Sequence, residues 1–208
     1  MYDPDTTTRF WLIRHALVAP ESLSILYGTL DVPLCAATRA ADAPRYAAIA
    51  ARLPRDAVWL VTPLSRTRLT ADSIMEAGYG AISTDVEPAL IEQDFGAWQG
   101  LPMRDFVNRP SQHPFWPVGG DEEPPDGETF AAMRDRVGDA LERLAKVHAG
   151  RNIIAISHGG AIRAAIAHAL DLSAHQALSL AVDNLSITRI ERHRHAWRFV
   201  SLNEQISI

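Results

Sequence analysis

The sequence predicts a three-layer α/β sandwich, a mostly parallel central sheet covered by helices on both faces. Three observations predict it. Continuous apolar runs at Arg9–His15, Ala57–Thr62 and Asn152–Ser157 read as strands buried on both sides, because half-exposed strands alternate. Helical periodicities separate these runs, which is the strand–helix alternation of parallel sheets. The chain has 208 residues, 47% of them apolar and 22% charged, enough for a sizeable core.

Taken in order, the first strand, "RFWLIRH", delivers an arginine and a histidine side by side. Residues Thr38–Leu53 repeat alanine, with Tyr46, Ile49 and Leu53 at helical spacing. After the second strand, Thr62 is the predicted N-cap and Pro63 the first-turn residue of a helix over Leu64–Ala77. Gly78 and Gly80 stop it, and Ala81–Val86 reads as a short third strand. Thr129–His148 is a long amphipathic helix closed by Gly150. "NIIAIS", Asn152–Ser157, is the strongest strand, and His158-Gly159-Gly160 turns it into a helix over Ala161–Leu170. Ser179–Ile190 and Ala196–Leu202 alternate like a hairpin around "ERHRH". The prolines and glycines of "NRPSQHPFWPVGGDEEPPDG" forbid a long helix or strand, so Asn108–Gly127 is a surface loop. Phe115 and Trp116 make it a lid packed near a site. A single domain over 1–208 is expected, with this loop insertion around 108–128.

Composition narrows the function. A net charge of -5 argues against a nucleic-acid backbone as partner. Cys35 stands alone, so no disulfide framework exists and a cytoplasmic setting fits. The acidic start "MYDPDTTT" lacks the pattern of a secretory signal, and no apolar run is long enough for a membrane span. A homodimer is compatible with the chain. His193 and His195 form a His-x-His without further ligands nearby, so a hairpin tip is expected there rather than a metal site.

Ligands of parallel sheets bind beyond the carboxyl ends of the strands. Those ends carry Arg14-His15, then Arg66 and Arg68 in the first turn of a helix, then His158 before two glycines. Arginines at a helix start work against the helix dipole, yet they suit an anion seated there.

Four stretches in order, "LIRHALV", "TPLSRTRLTA", "LIEQDFGAWQG" and "SHGGAIRA", resemble the histidine phosphatase superfamily, whose fold is phosphoglycerate mutase-like. "YGTLDVPL" and "DGET" add to the resemblance, which runs from Phe10 to about Asn203. It implies that His15 attacks phosphorus and forms a phosphohistidine, while Arg14, Arg66 and His158 hold the phosphoryl oxygens. Glu92 would protonate the leaving oxygen and then activate water, with Phe95 and Trp98 as an apolar wall. Neither metal nor cofactor is implied, and Arg68 has a supporting role at most. Two alternatives stay open: Arg66 paired on the helix surface with Asp72 or Glu76, and Asp94 in place of Glu92.

The match departs in two places. Ala16 stands where the family has glycine, and a methyl costs about 1 kcal/mol if that residue needs a positive φ. "LVAPES" is apolar where the mutases carry polar side chains. Both departures weigh against a mutase, and "RHA" with "YGTLDVPL" resembles bacterial cobalamin-pathway phosphatases, which implies a metal-independent phosphomonoesterase for a small phosphorylated metabolite, with α-ribazole 5′-phosphate as the particular ester. A phosphoglycerate mutase and a catalytically silent phosphate-ester-binding protein are the alternatives.

Overall fold

The computed structural model describes residues 6–107 and 109–206. Residues 1–5, on which the expectation about a secretory signal rested, and Asn108, at the head of the expected loop, lie outside the described residues. Six strands form one sheet: β1 (Thr8–Arg14), β2 (Ala57–Val61), β3 (Asp85–Val86), β4 (Asn152–Ser157), β5 (Ile187–Arg192) and β6 (Trp197–Glu204), ordered β3-β2-β4-β1-β5-β6. The first four are mutually parallel, and β5 and β6 add an antiparallel hairpin beside β1.

Both faces are covered, as the continuous apolar runs predicted. Alternate residues of one strand enter opposite cores. Ile153 and Ala155 of β4 pack with the helices α4 (Phe130–Val147) and α5 (Gly159–Leu170). Ile154 and Ile156 pack on the other side with Tyr46 and Ile49 of α2 (Ala43–Arg52), and Ala71 and Ile74 of α3 (Ser65–Ile74). Register brings the strand ends level: Arg14 sits opposite Ser157, and Val61 opposite Ile156. No helix among the described residues is long and apolar enough to cross a membrane.

Several boundaries differ from the expected ones. The helix expected over Thr38–Leu53 is two, α1 (Ala36–Ala41) and α2, because Pro44 has no N–H to continue the ladder. Only Asp85 and Val86 of the expected third strand pair with β2. The first part of the expected hairpin, residues 179–186, is not strand: it follows a short helix, α6 (Ala174–Leu178), and lies against the end of β1. There Leu185 N donates to Arg14 O (3.0 Å), and Asn184 Nδ2 donates to His15 O (2.8 Å). Strand pairing starts only at Ile187.

Thr62 is not the cap of α3. That helix starts at Ser65, whose N–H and hydroxyl both donate to Asp31 Oδ1 at 2.8 Å. A distant carboxylate caps this helix, which also suits its dipole.

Candidate active site

The carboxyl ends of β1, β2 and β4 converge as the sequence predicted. His15 follows β1 and its ring is buried, 2% exposed. Its Nδ1 lies 2.7 Å from Ala16 O, and a carbonyl only accepts, so the proton sits on Nδ1 and Nε2 keeps its lone pair. Burial, then the charges of Arg66 and Arg14, hold its pKa well below the ordinary 6.5, so the ring is neutral at pH 7. The segment is pinned from two further sides, by His15 N to Ser157 O (2.9 Å) and Ala16 N to Thr70 Oγ1 (3.0 Å). Ala16 is buried with its backbone outside the left-handed region, so its methyl carries no backbone strain.

His158 stands beside His15, ring centroids 5.2 Å apart in an edge-on arrangement. Thr62, the expected cap, instead holds His158 Nε2 at 2.9 Å. Burial, then Arg66, keep the His158 pKa well below its usual value too. Its Nδ1 is buried without a partner.

Arg66 is fully buried in the first turn of α3, so the surface pairing with Asp72 or Glu76 does not form. Its guanidinium donates to Gly28 O and Leu30 O, both at 2.7 Å. "YGTLDVPL" is therefore the strap that positions it. Gly28 must be glycine there: its φ is +42°, and a Cβ would sit 2.5 Å from Gln99 Oε1. Arg14 Nη1 donates to Val182 O at 2.7 Å. The Nε atoms of Arg14 and Arg66 are both buried and unpartnered. Buried polar atoms are nearly always paired, so three orphaned nitrogens in one cluster mark a binding site for an acceptor-rich group. Arg68 is exposed.

Glu92 is buried and held by two backbone N–H groups, Gln93 N to Oε1 (2.9 Å) and Gly160 N to Oε2 (3.0 Å). A Cβ at Gly160 would come within 2.2 Å of Oε1, so close approach rather than conformation requires this glycine. Behind it, Arg136 pairs with Glu128 through two nitrogens and donates to Ala89 O, Ile91 O and Glu92 O. Glu128 belongs to "DGET", and Thr129 caps α4 as its side chain accepts from Ala132 N. Asp94 turns away: Oδ1 accepts from Gly96 N at 2.9 Å.

A cavity of about 270 Å³ opens above Arg14, Glu92 and Gly159, walled by Tyr27, Phe95, Met103, Phe115, Trp116 and Arg163 among others. The expected loop does pack here, with Trp116 Nε1 donating to Gln93 Oε1 at 2.9 Å. The wall beside Glu92 is Phe95 with Trp116, not Trp98, whose ring lies tilted against Phe106 and beneath Arg109. A larger depression of about 440 Å³ near α1–α3 is lined by Arg39, Tyr46, Ser73 and four alanines, and contains none of the strand-end residues.

Sequence reasoning passed over Arg163. It stands inside "SHGGAIRA", four residues after Gly159 and so on the same helix face, which was the available signal.

An α/β sandwich that gathers two neutral histidines, buried arginines and one carboxylate at the ends of its parallel strands is built to handle a phosphoryl group. The chain belongs to the histidine phosphatase superfamily (branch 1), whose family model matches residues 10–205. It is 30% identical over 164 residues to a metal-independent phosphoserine phosphatase of Arabidopsis thaliana, covering 76% of this chain and 66% of that one. It is also 30% identical over 131 residues to a bifunctional protein of Mycobacterium tuberculosis, where the match covers 62% of this chain and only 35% of the relative. The fold is that of the α-ribazole phosphatase from Shigella flexneri, with a TM-score of 0.77 at 23% identity, covering 96% of this chain and 98% of that one.

Proposed function

We propose that the protein is a metal-independent phosphomonoesterase that works through a phosphohistidine on His15. The observation that carries this is the His15 tautomer: Nδ1–H is spent on Ala16 O, leaving the Nε2 lone pair as nucleophile beside unpartnered donors. In the first step Nε2 bonds to phosphorus, the ester P–O bond breaks, and the Glu92 carboxyl gives its proton to the departing oxygen. In the second, the Glu92 carboxylate takes a proton from water as that water bonds to phosphorus. The N–P bond breaks and its electron pair returns to Nε2. Arg14, Arg66 and His158 offset the charge of the equatorial oxygens through both steps, the largest source of catalysis in phosphoryl transfer. For His158 this uses the tautomer with Nδ1–H, which Thr62 permits by donating its hydroxyl to Nε2.

The substrate is a small phosphorylated metabolite, and α-ribazole 5′-phosphate is the particular ester that the sequence resemblance favours. The decisive assay incubates the protein and chelator with an aryl phosphate, and in parallel with 3-phosphoglycerate plus its bisphosphate primer. Phosphate release that falls at least about 10³-fold in His15→Ala is expected. Isomerisation without release would make it a mutase. Binding of phosphate esters without turnover would make it a silent binding protein.

A further inference from the structure

We propose that Arg163 binds an anionic group on the alcohol half of the substrate, beside the phosphoryl group held by Arg14, so that the protein selects phosphomonoesters of small carboxylic acids. This rests on the phosphomonoesterase function above and, because α-ribazole carries no carboxylate, turns its substrate away from α-ribazole 5′-phosphate.

Arg163 is 8% exposed, yet among the described residues no carboxylate lies within ion-pair distance of it. Its place is fixed without one. Nε donates to Leu180 O at 2.7 Å, and the guanidinium lies 5.0 Å from the centre of the Trp116 ring. The two terminal nitrogens remain for the cavity that Arg163 lines.

Arg14 approaches the same spot from the end of β1. A side-chain carbon built on Gly159 would lie 3.1 Å from Arg163 Nη1 and 3.4 Å from Arg14 Nε. Two guanidinium groups therefore crowd one point, and the Arg14 nitrogen there is buried and unpartnered. Such crowding disfavours both charges unless an anion sits between them. Burial brings the Arg163 pKa down to about 10, with Glu92 and Asp183 opposing the shift and Arg14 adding to it.

Charge balance points the same way. Arg14 and Arg163 line the cavity and Arg66 acts on the same Glu92, the one lining carboxylate, which is uncharged when it serves as acid; Asp183 acts on Arg163 only from beyond ion-pair distance. A phosphoryl dianion offsets two of the three positive charges and leaves one for a second anion. The planar fork of an arginine set over an indole suits a carboxylate. The cavity that Arg163 lines, about 270 Å³, has room for a few-carbon acid beside the phosphoryl group.

Two substrate pairs that differ at the carboxylate provide the test: O-phosphoserine with O-phosphoethanolamine, which has hydrogen in its place, and 3-phosphoglycerate with glycerol 3-phosphate, which has a hydroxymethyl group there. The wild-type protein is expected to prefer the acid in each pair by about 10-fold or more in kcat/KM. Arg163→Gln should erase that preference through KM, and Arg163→Lys should restore part of it. No preference in the wild type overturns the proposal, even if the variants do not fold. So does a preference that survives in Arg163→Gln, or an equal loss for both members of a pair, which would put Arg163 on the phosphoryl group. If the wild type turns over none of the four, calorimetry decides. Tighter binding of the acids keeps the subsite and removes only the hydrolase function; equal binding removes the subsite.

Discussion

Glu92 and the two glycines beneath it make the chemistry depend on tenths of an ångström. A methyl at Gly160 collides with Glu92 Oε1, whereas one at Gly159 meets only arginine side-chain atoms at 3.1 Å or more. Gly160→Ala should therefore lower kcat for an aryl phosphate by about 10-fold or more, and Gly159→Ala by much less. Steady-state kinetics on both variants checks this, and equal losses would mean that Glu92 is not held where it must act. At this scale the site was largely readable. His15, Arg14, Arg66, His158 and Glu92 all stand where strand ends or family motifs put them. Arg163 was less readable as a site residue, because the helix face that carries it meets the loop only through tertiary contact.

Between elements, two long-range ties position the site. Arg136 joins α4 to the segment carrying Glu92 through Glu128 and three carbonyls. The pair is about a quarter exposed, so Arg136→Ala should cost about 2 kcal/mol in denaturant unfolding and reduce kcat as Glu92 loosens. Asp31 ties the strap to the start of α3, and Asp31→Ala should cost about 1 kcal/mol. A loss from Asp31→Ala confined to stability, with KM for phosphate esters unmoved, would show that the strap does not govern Arg66. Neither tie was legible in sequence: the expected cap was the local Thr62, and the expected helix ran unbroken through Pro44. Local pattern reports which residues are apolar and how they repeat. It is silent on a carboxylate reaching in from 34 residues away.

Across the whole molecule, the continuous apolar strands announced a sheet buried on both faces, and the alternation of one strand into two cores is how that is met. Two neutral histidines at its edge give the fold a pH signature. Their folded pKa values are depressed below 6.5, so protonation favours the unfolded chain. The stability they allow is fully present above pH 6.5 and is lost as pH falls from there toward the folded values. Each contributes a slope of at most about 1.4 kcal/mol per pH unit. Denaturant midpoints from pH 7.5 to 5 should fall with that slope, and His158→Asn should flatten it; an unchanged slope would show that His158 does not titrate in this range. The most direct test of the central claim is to mix Glu92→Gln with excess aryl phosphate, quench at alkaline pH and map the protein by mass spectrometry. One phosphoryl group on the peptide carrying His15, absent from His15→Ala, is the predicted result. Phosphate release by the wild type with no phosphorylated His15 under any quench would contradict it.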